Sequence, residues 1–173
     1  IPMELRFERR YKNAVSVLRG PLYYSLRIEK EYKSIKINYD NFSYKGSVDW
    51  EISPKSPWNY GLLIDTGNTM RGFGLKENEI WRLPFSDKGD ILWSADSGKY
   101  IVSQLDAPIV IKARGIKIPS WTMKNNSADV PPLSPVTPEG DPEIIELVPY
   151  GCARLRITEF PVMDITLMED VIK

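Results

Sequence analysis

Residues 15–29 read VSVLRGPLYYSLRIE, and this stretch decides the fold class. From residue 22 to residue 29 apolar side chains alternate with more polar ones, and Val15 and Val17 start the same pattern. A period of two places alternate side chains on opposite faces of an extended chain, so the stretch predicts half-buried β-strand. Gly20-Pro21 interrupts the alternation, which predicts a bend or bulge in one long strand.

The same alternation recurs along the chain. It predicts further strands at residues 3–8, 35–39, 48–52, 60–64, 109–113, 144–148 and 153–158. The nearest approach to a helical period is Lys76–Leu83, and Pro84 stops it. Together with 14 Pro and 11 Gly, these short segments predict an all-β fold with little helix. An antiparallel β-sandwich, jelly-roll-like or Ig-like, is the preferred architecture, and a partly open barrel is the alternative.

Closely spaced prolines mark the segment from about residue 124 to residue 142. Proline cannot donate to a β-ladder, so we expect a long, extended surface loop that is partly polyproline-like. We expect this loop to lie across its own domain or a neighbouring one; the alternative is that it binds a groove in a partner.

Composition excludes several function classes. The chain has 173 residues, 23 Lys and Arg against 23 Asp and Glu, and no His. Without imidazole there is no Ser-His-Asp or Cys-His catalytic unit and no His-ligated zinc. Balanced charge argues against a nucleic-acid partner, and the absence of an apolar run near the length of about 20 residues argues against a membrane span. We therefore expect no metal, no cofactor, no nucleic acid and no membrane partner for this chain.

Cysteine usage leaves the compartment open. A single Cys cannot form an internal disulfide, so the cytoplasm and the bacterial periplasm are both compatible with the sequence. The first residues, Ile1-Pro2-Met3-Glu4, show neither an initiator Met nor a signal-peptide pattern, so we expect a fragment of a longer protein.

Two features have the residue types of a catalytic site. Asp49 and Glu51 share a strand face at a spacing of roughly 6.5–7 Å between Cα atoms, which paired-carboxylate glycosidases tolerate. Cys152 is a nucleophile whose pKa Arg154 would lower. Alternating strands commonly place such acids in solvent, and a Cys at the start of a strand is commonly structural. The sequence therefore predicts no catalytic residue.

Three aromatic residues stand at loop-strand boundaries: Trp58, Tyr60 and Trp121. Sugar rings stack on such side chains, so these residues are the candidate carbohydrate-binding platform. The alternative is that the tryptophans fill the core or a seam between domains.

Four segments carry a family resemblance: VLRGPLYYSL at 17–26, SPWNYGL at 56–62, ARGIKIPSW at 113–121 and LVPYGCARLRITEFP at 147–161. In this order they resemble the C-terminal region of the family 127 glycoside hydrolases, formerly a domain of unknown function and typified by β-L-arabinofuranosidases. The resemblance implies a β-sandwich accessory domain over residues 1–161 and a C-terminal tail at 162–173.

The resemblance also implies where the chemistry is located. In that family a catalytic Cys, an acid/base Glu and a Cys-rich zinc site belong to an α/α-barrel, which this chain lacks. None of those roles transfers to Cys152. The expected function is a non-catalytic module that supports the catalytic barrel of the same parent protein, a glycosidase, and is inactive alone. The alternatives are a module that binds plant-derived oligosaccharide and a domain that forms homo-oligomers.

Overall fold

The computed structural model describes residues 2–35, 49–65, 68, 71–78, 92–94, 99–101 and 107–163. Thirteen strands lie in these ranges, and the helical elements there are short 3-10 turns at Tyr11–Asn13 and Tyr150–Cys152. The strands are β1 (Leu5–Arg9), β2 (Val15–Arg19), β3 (Leu22–Leu26), β4 (Lys30–Ile35), β5 (Asp49–Pro54), β6 (Tyr60–Leu62), β7 (Gly74–Glu77), β8 (Leu92–Ser94), β9 (Lys99–Ile101), β10 (Ile109–Lys117), β11 (Met123–Lys124), β12 (Ser127–Ala128) and β13 (Glu143–Pro149).

The main sheet has seven strands in the order β1-β2-β3-β13-β10-β6, with β7 also paired to β10. The pairings between its described strands are antiparallel, and separate two-stranded ribbons join β4 to β5, β8 to β9 and β11 to β12. The sheet curls so that its two ends meet. The ring of Phe7, on β1, and the ring of Phe73, directly before β7, stand 5.1 Å apart in an edge-on contact. The prediction of an antiparallel all-β fold with little helix is confirmed.

Gly20-Pro21 reverses the chain instead of bending it. Arg19 pairs with Leu22, so the two residues between them form the whole hairpin loop. Gly20 has a φ of 57°, and Pro21 is held at a negative φ by its ring, which is the pattern of a type II′ turn. The prediction of one long, kinked strand was therefore wrong, since β2 and β3 are the two arms of a hairpin.

The segment 157–163 closes the sheet. Strands β2 and β3 pair only next to their turn and then diverge. Beyond that point the Leu26 amide donates to the Ile157 carbonyl (2.9 Å), and Val15 and Phe160 exchange two backbone hydrogen bonds of 2.8 Å. On its other edge the segment pairs with β6, where the Leu62 amide donates to the Pro161 carbonyl (2.8 Å). Backbone hydrogen bonding thus runs in a closed ring through β2, β3, β13, β10, β6 and this segment.

Residues 153–158 were predicted to be a strand, and that prediction was wrong. The apolar residues of this stretch do turn inward, with Leu155 and Ile157 against the main core. The backbone nevertheless makes no ladder, because the buried Ser25 hydroxyl, and not a backbone carbonyl, accepts the Ile157 amide (3.1 Å). Apolar side chains face the core here without strand pairing.

The main core fills the inside of the curl. Its buried members come from both sides of the ring and include Val17, Tyr24, Leu62, Leu147 and Phe160. Burial of each large apolar side chain contributes about 1.5–3 kcal/mol. Two smaller clusters lie elsewhere, one around Trp121 and one around Val110 and Val148.

The proline-rich segment lies across its own domain. The Ser134 amide donates to the Lys12 carbonyl (2.9 Å), and the buried Ser134 hydroxyl accepts the Val162 amide (2.9 Å). The Val136 amide donates to the Val162 carbonyl (2.8 Å). Val162 and Met163, assigned from the sequence to the tail, therefore pack with the domain, and residues 164–173 lie outside the described residues.

Some sequence predictions fall on residues that the structure does not describe, namely 36–39 and residue 48. The ribbon of β4 and β5 begins earlier and ends later than the two segments predicted there. In the described ranges, no helix has the length and apolarity that crossing a membrane requires.

Candidate functional site

Trp58 and Trp121 contact each other. Their rings lie edge to face with centroids 5.3 Å apart, and the Asn59 side chain donates to the carbonyls of Ile118 (2.8 Å) and Trp121 (3.2 Å). The Trp121 indole nitrogen donates to the Asp129 carbonyl at 2.7 Å. Trp121 is only 4% exposed, and Trp58 packs between the main core and the Trp121 cluster.

Tyr60 is also buried, at 6% exposure. Lys117 lies 5.8 Å from the centre of its ring and pairs with Glu143 at 2.9 Å. Burial, and then the Glu143 carboxylate, raise the pKa of Tyr60 above its ordinary value of 10.0. Its hydroxyl therefore stays protonated at neutral pH.

The three aromatic residues do not form an open platform. Stacking against a sugar needs an exposed ring face, and Tyr60 and Trp121 have almost none. The expectation of an exposed sugar platform at Trp58, Tyr60 and Trp121 is corrected by this burial. The pair of tryptophans fits the other interpretation offered by the sequence, in which they fill the core.

Cys152 lies partly buried in the 3-10 turn Tyr150–Cys152 that follows β13. Its thiol is near the hydroxyl of Tyr24, as is the Arg19 guanidinium. Burial raises the pKa of Tyr24 above its ordinary value of 10.0, and the Arg19 charge opposes that rise. Arg19 also pairs with Glu77 at 3.6 Å, which ties β2 to β7. The contacts of Arg19 therefore connect β2 to its neighbours β3 and β7.

Of the two acids on β5, the structure describes the side chain of Glu51. Glu51 is exposed and pairs with Lys33 across the ribbon at 3.6 Å. Exposed pairs of this kind contribute about 0–1 kcal/mol. The side chain of Asp49 is outside the described residues.

A surface depression of about 410 Å³ lies between the β2-β3 hairpin and the chain that follows β13. We call it the Tyr23–Tyr150 depression. One wall consists of the hairpin, with Leu22 and Tyr23, and of Arg10, which follows β1. The residues after β13 supply the other wall, with Tyr150, Thr158 and Glu159. The hairpin turn and the pairing of β3 with β13 bring the two walls together.

Arg10 is anchored in this depression. Its Nε donates to the Ser16 hydroxyl (3.1 Å) and its Nη2 to the Tyr23 hydroxyl (2.8 Å). Nη2 also pairs with Glu8 at 3.0 Å, and the Tyr23 hydroxyl donates to the same carboxylate. Four side chains thus hold one another in a fixed arrangement.

The opposite wall carries Tyr150, which is 47% exposed. The guanidinium carbon of Arg156 lies 4.2 Å from the centre of its ring, and Arg156 Nε donates to the Tyr150 carbonyl at 3.4 Å. This cation-π contact fixes one side of the ring. Sequence reasoning missed this depression, because Tyr23 and Tyr150 are more than 100 positions apart and only the fold joins them.

In the part of the chain that the structure describes, no group of three or more His, Cys, Asp or Glu side chains is close enough together to hold a metal ion.

Comparisons with protein families, with characterised proteins and with solved structures find no match to this chain.

Proposed function

We propose that this chain is a non-catalytic β-domain of a glycoside hydrolase similar to family 127, and that it supports a catalytic α/α-barrel in the same parent protein. The assignment to this family rests on the resemblance of four segments, at 17–26, 56–62, 113–121 and 147–161. The proposed supporting role rests on the contacts that these segments make in the fold.

The observation that carries the proposal is that the four segments hold one another. Segment 17–26 bonds to segment 147–161 through the Leu26 amide and the Ile157 carbonyl, 2.9 Å apart. Segment 147–161 bonds to segment 56–62 through Pro161 and Leu62 (2.8 Å), and segment 56–62 meets segment 113–121 where Trp58 contacts Trp121. Because these residues hold the segments to one another, they keep the domain rigid, and a supporting module requires a rigid domain.

Hydrolysis assays of the full chain test the first half of the proposal. With p-nitrophenyl β-L-arabinofuranoside, we expect no release of p-nitrophenol above the rate without protein. Turnover that is abolished in Glu159→Gln or Cys152→Ser would overturn the proposal, because it would place the chemistry on this chain.

The coding sequence that adjoins this chain tests the second half. We expect it to encode paired amphipathic helices with a Cys cluster and a Glu, the composition of the family's barrel. A second, unrelated β-module in that position would contradict the assignment to the family.

A further inference from the structure

The Tyr23–Tyr150 depression holds polar groups that the fold does not use. Arginine has five N–H donors. Arg10 uses Nε and Nη2, and the two hydrogens of Nη1 have no acceptor among the described residues. Glu159, half-buried on the other wall, accepts no hydrogen bond from a side chain or backbone in the described ranges. Arg10 and Glu159 both line the depression, so this donor pair and this acceptor belong to the same candidate site.

Charge around the depression is balanced. Arg10 and Arg156 are matched by Glu8 and Glu159, and Arg10 is already paired with Glu8. A site whose charges cancel gives no net attraction to a phosphate or a carboxylate. Its ligand is expected to be neutral and to offer both donors and acceptors.

The aromatic wall adds an apolar surface to these polar groups. Tyr150 is nearly half exposed and is held from one side by Arg156, and Leu22 lies on the opposite wall. The volume of about 410 Å³ falls within the range of about 300–1,000 Å³ typical of small-molecule sites. A flat apolar face edged by hydroxyl-bonding groups suits a sugar ring.

We propose that the Tyr23–Tyr150 depression binds one neutral ring of an oligosaccharide. The ring stacks on Tyr150, its hydroxyls donate to the Glu159 carboxylate, and they accept from Arg10 Nη1. The choice of an oligosaccharide over other neutral polyols rests on the proposed function, whereas the position of the site rests on the contacts above.

Titration of the full, ¹⁵N-labelled chain tests the proposal. The probes are neutral arabino-, xylo- and cello-oligosaccharides, followed in amide spectra. We expect at least one probe to shift the amides of Tyr23, Gly151 and Thr158, which line the depression. We expect Tyr150→Ala and Glu159→Ala each to weaken binding by about tenfold or more, and Tyr150→Phe to retain it because stacking does not need the hydroxyl.

Tyr11→Ala is the matched control, since Tyr11 is 70% exposed and does not line the depression. It should leave binding unchanged, and the unfolding midpoints of all variants show that each one folds. Three results would overturn the proposal: no amide shift with any probe, shifts centred on Trp58 and Trp121, or unchanged binding in Tyr150→Ala. Stronger binding of inorganic phosphate or galacturonate at the same amides would also overturn it.

These outcomes are separable from those of the proposed function. Hydrolysis by this chain would remove the non-catalytic role and leave the sugar contacts untouched. Failure to bind sugar would leave the supporting role intact.

Discussion

Trp121 illustrates what a single residue does in this fold. Its ring, its indole nitrogen and its carbonyl are all engaged, by Trp58, by the Asp129 carbonyl and by the Asn59 side chain. The sequence locates Trp121 at a loop-strand boundary but does not determine whether its ring is buried or exposed. Its burial depends on residues 123–129 folding back, and that reversal needs two asparagines at positive φ, Asn125 (52°) and Asn126 (58°).

Tyr24 gives a prediction for stability at high pH. Its raised pKa means that the folded chain holds the phenol proton more tightly than the unfolded chain. The resulting stability is present in full below the ordinary pKa of 10.0 and is lost as the pH rises through the folded-state pKa. Tyr60 acts in the same direction. We expect the urea midpoint to be level at neutral and mildly alkaline pH and to fall above pH 10.

Tyr24→Phe checks the cause of this fall. The Tyr24 hydroxyl is buried, and Arg19 lies near it without a hydrogen bond of good geometry, so removal of the hydroxyl should change the midpoint at pH 8 only slightly. The loss between pH 9.5 and pH 11 should be smaller than in the parent chain. An equal loss in both proteins would show that Tyr24 does not contribute.

At the scale of elements, the sequence predicted strands that carry apolar side chains toward a core. Strands with one buried face, such as β1, and strands buried on both faces, such as β6, were both predicted near their observed places. β7 was not predicted, because all four of its residues are exposed and it has no apolar face to reveal it. The Tyr23–Tyr150 depression was beyond prediction for a related reason: it exists only where two distant elements pair.

Gly61 gives a prediction for the contact between β6 and the closing segment. A Cβ built on Gly61 would stand 2.6 Å from Met163 Cε and 3.1 Å from the Pro161 carbonyl oxygen. We expect Gly61→Ala to destabilise the chain by about 1–3 kcal/mol, since the closing segment would have to shift. Urea unfolding with an unchanged m-value measures the loss.

Gly74→Ala is the matched control on β7. The nearest atom to its added Cβ is Lys112 Cβ at 3.7 Å, an ordinary contact. We expect stability to stay level or to rise by up to about 1 kcal/mol, because alanine restricts the unfolded chain. Equal destabilisation by both substitutions would contradict the packing described for Gly61.

At the scale of the whole molecule, closure by residues 157–163 is the main feature that the sequence did not indicate. Pro161 and the irregular backbone of that segment hide its role. Phe160 and Pro161 are fully buried, and their backbone groups bond to β2 on one side and β6 on the other. Alternation in a sequence reveals strands that pair along continuous ladders, whereas this segment pairs through isolated bridges.

Met163 tests whether closure contributes to global stability. It is 2% exposed, so Met163→Ala should cost about 2–5 kcal/mol. Met123→Ala makes the same chemical change at a residue that is 48% exposed and should stay within about 0.5 kcal/mol of the parent. Thermal and urea unfolding compare the two. A small effect at Met163 would mean that the ring is already stable without this residue.

The closed ring also determines when the domain can form during synthesis. Val15 is synthesised well before its partner Phe160, to which it is bonded in the folded chain. Contacts of such long sequence separation cannot form co-translationally until the later residue emerges. The nascent β2-β3 hairpin therefore has an unpaired edge until residues 157–163 emerge, and an unpaired strand edge is prone to aggregation.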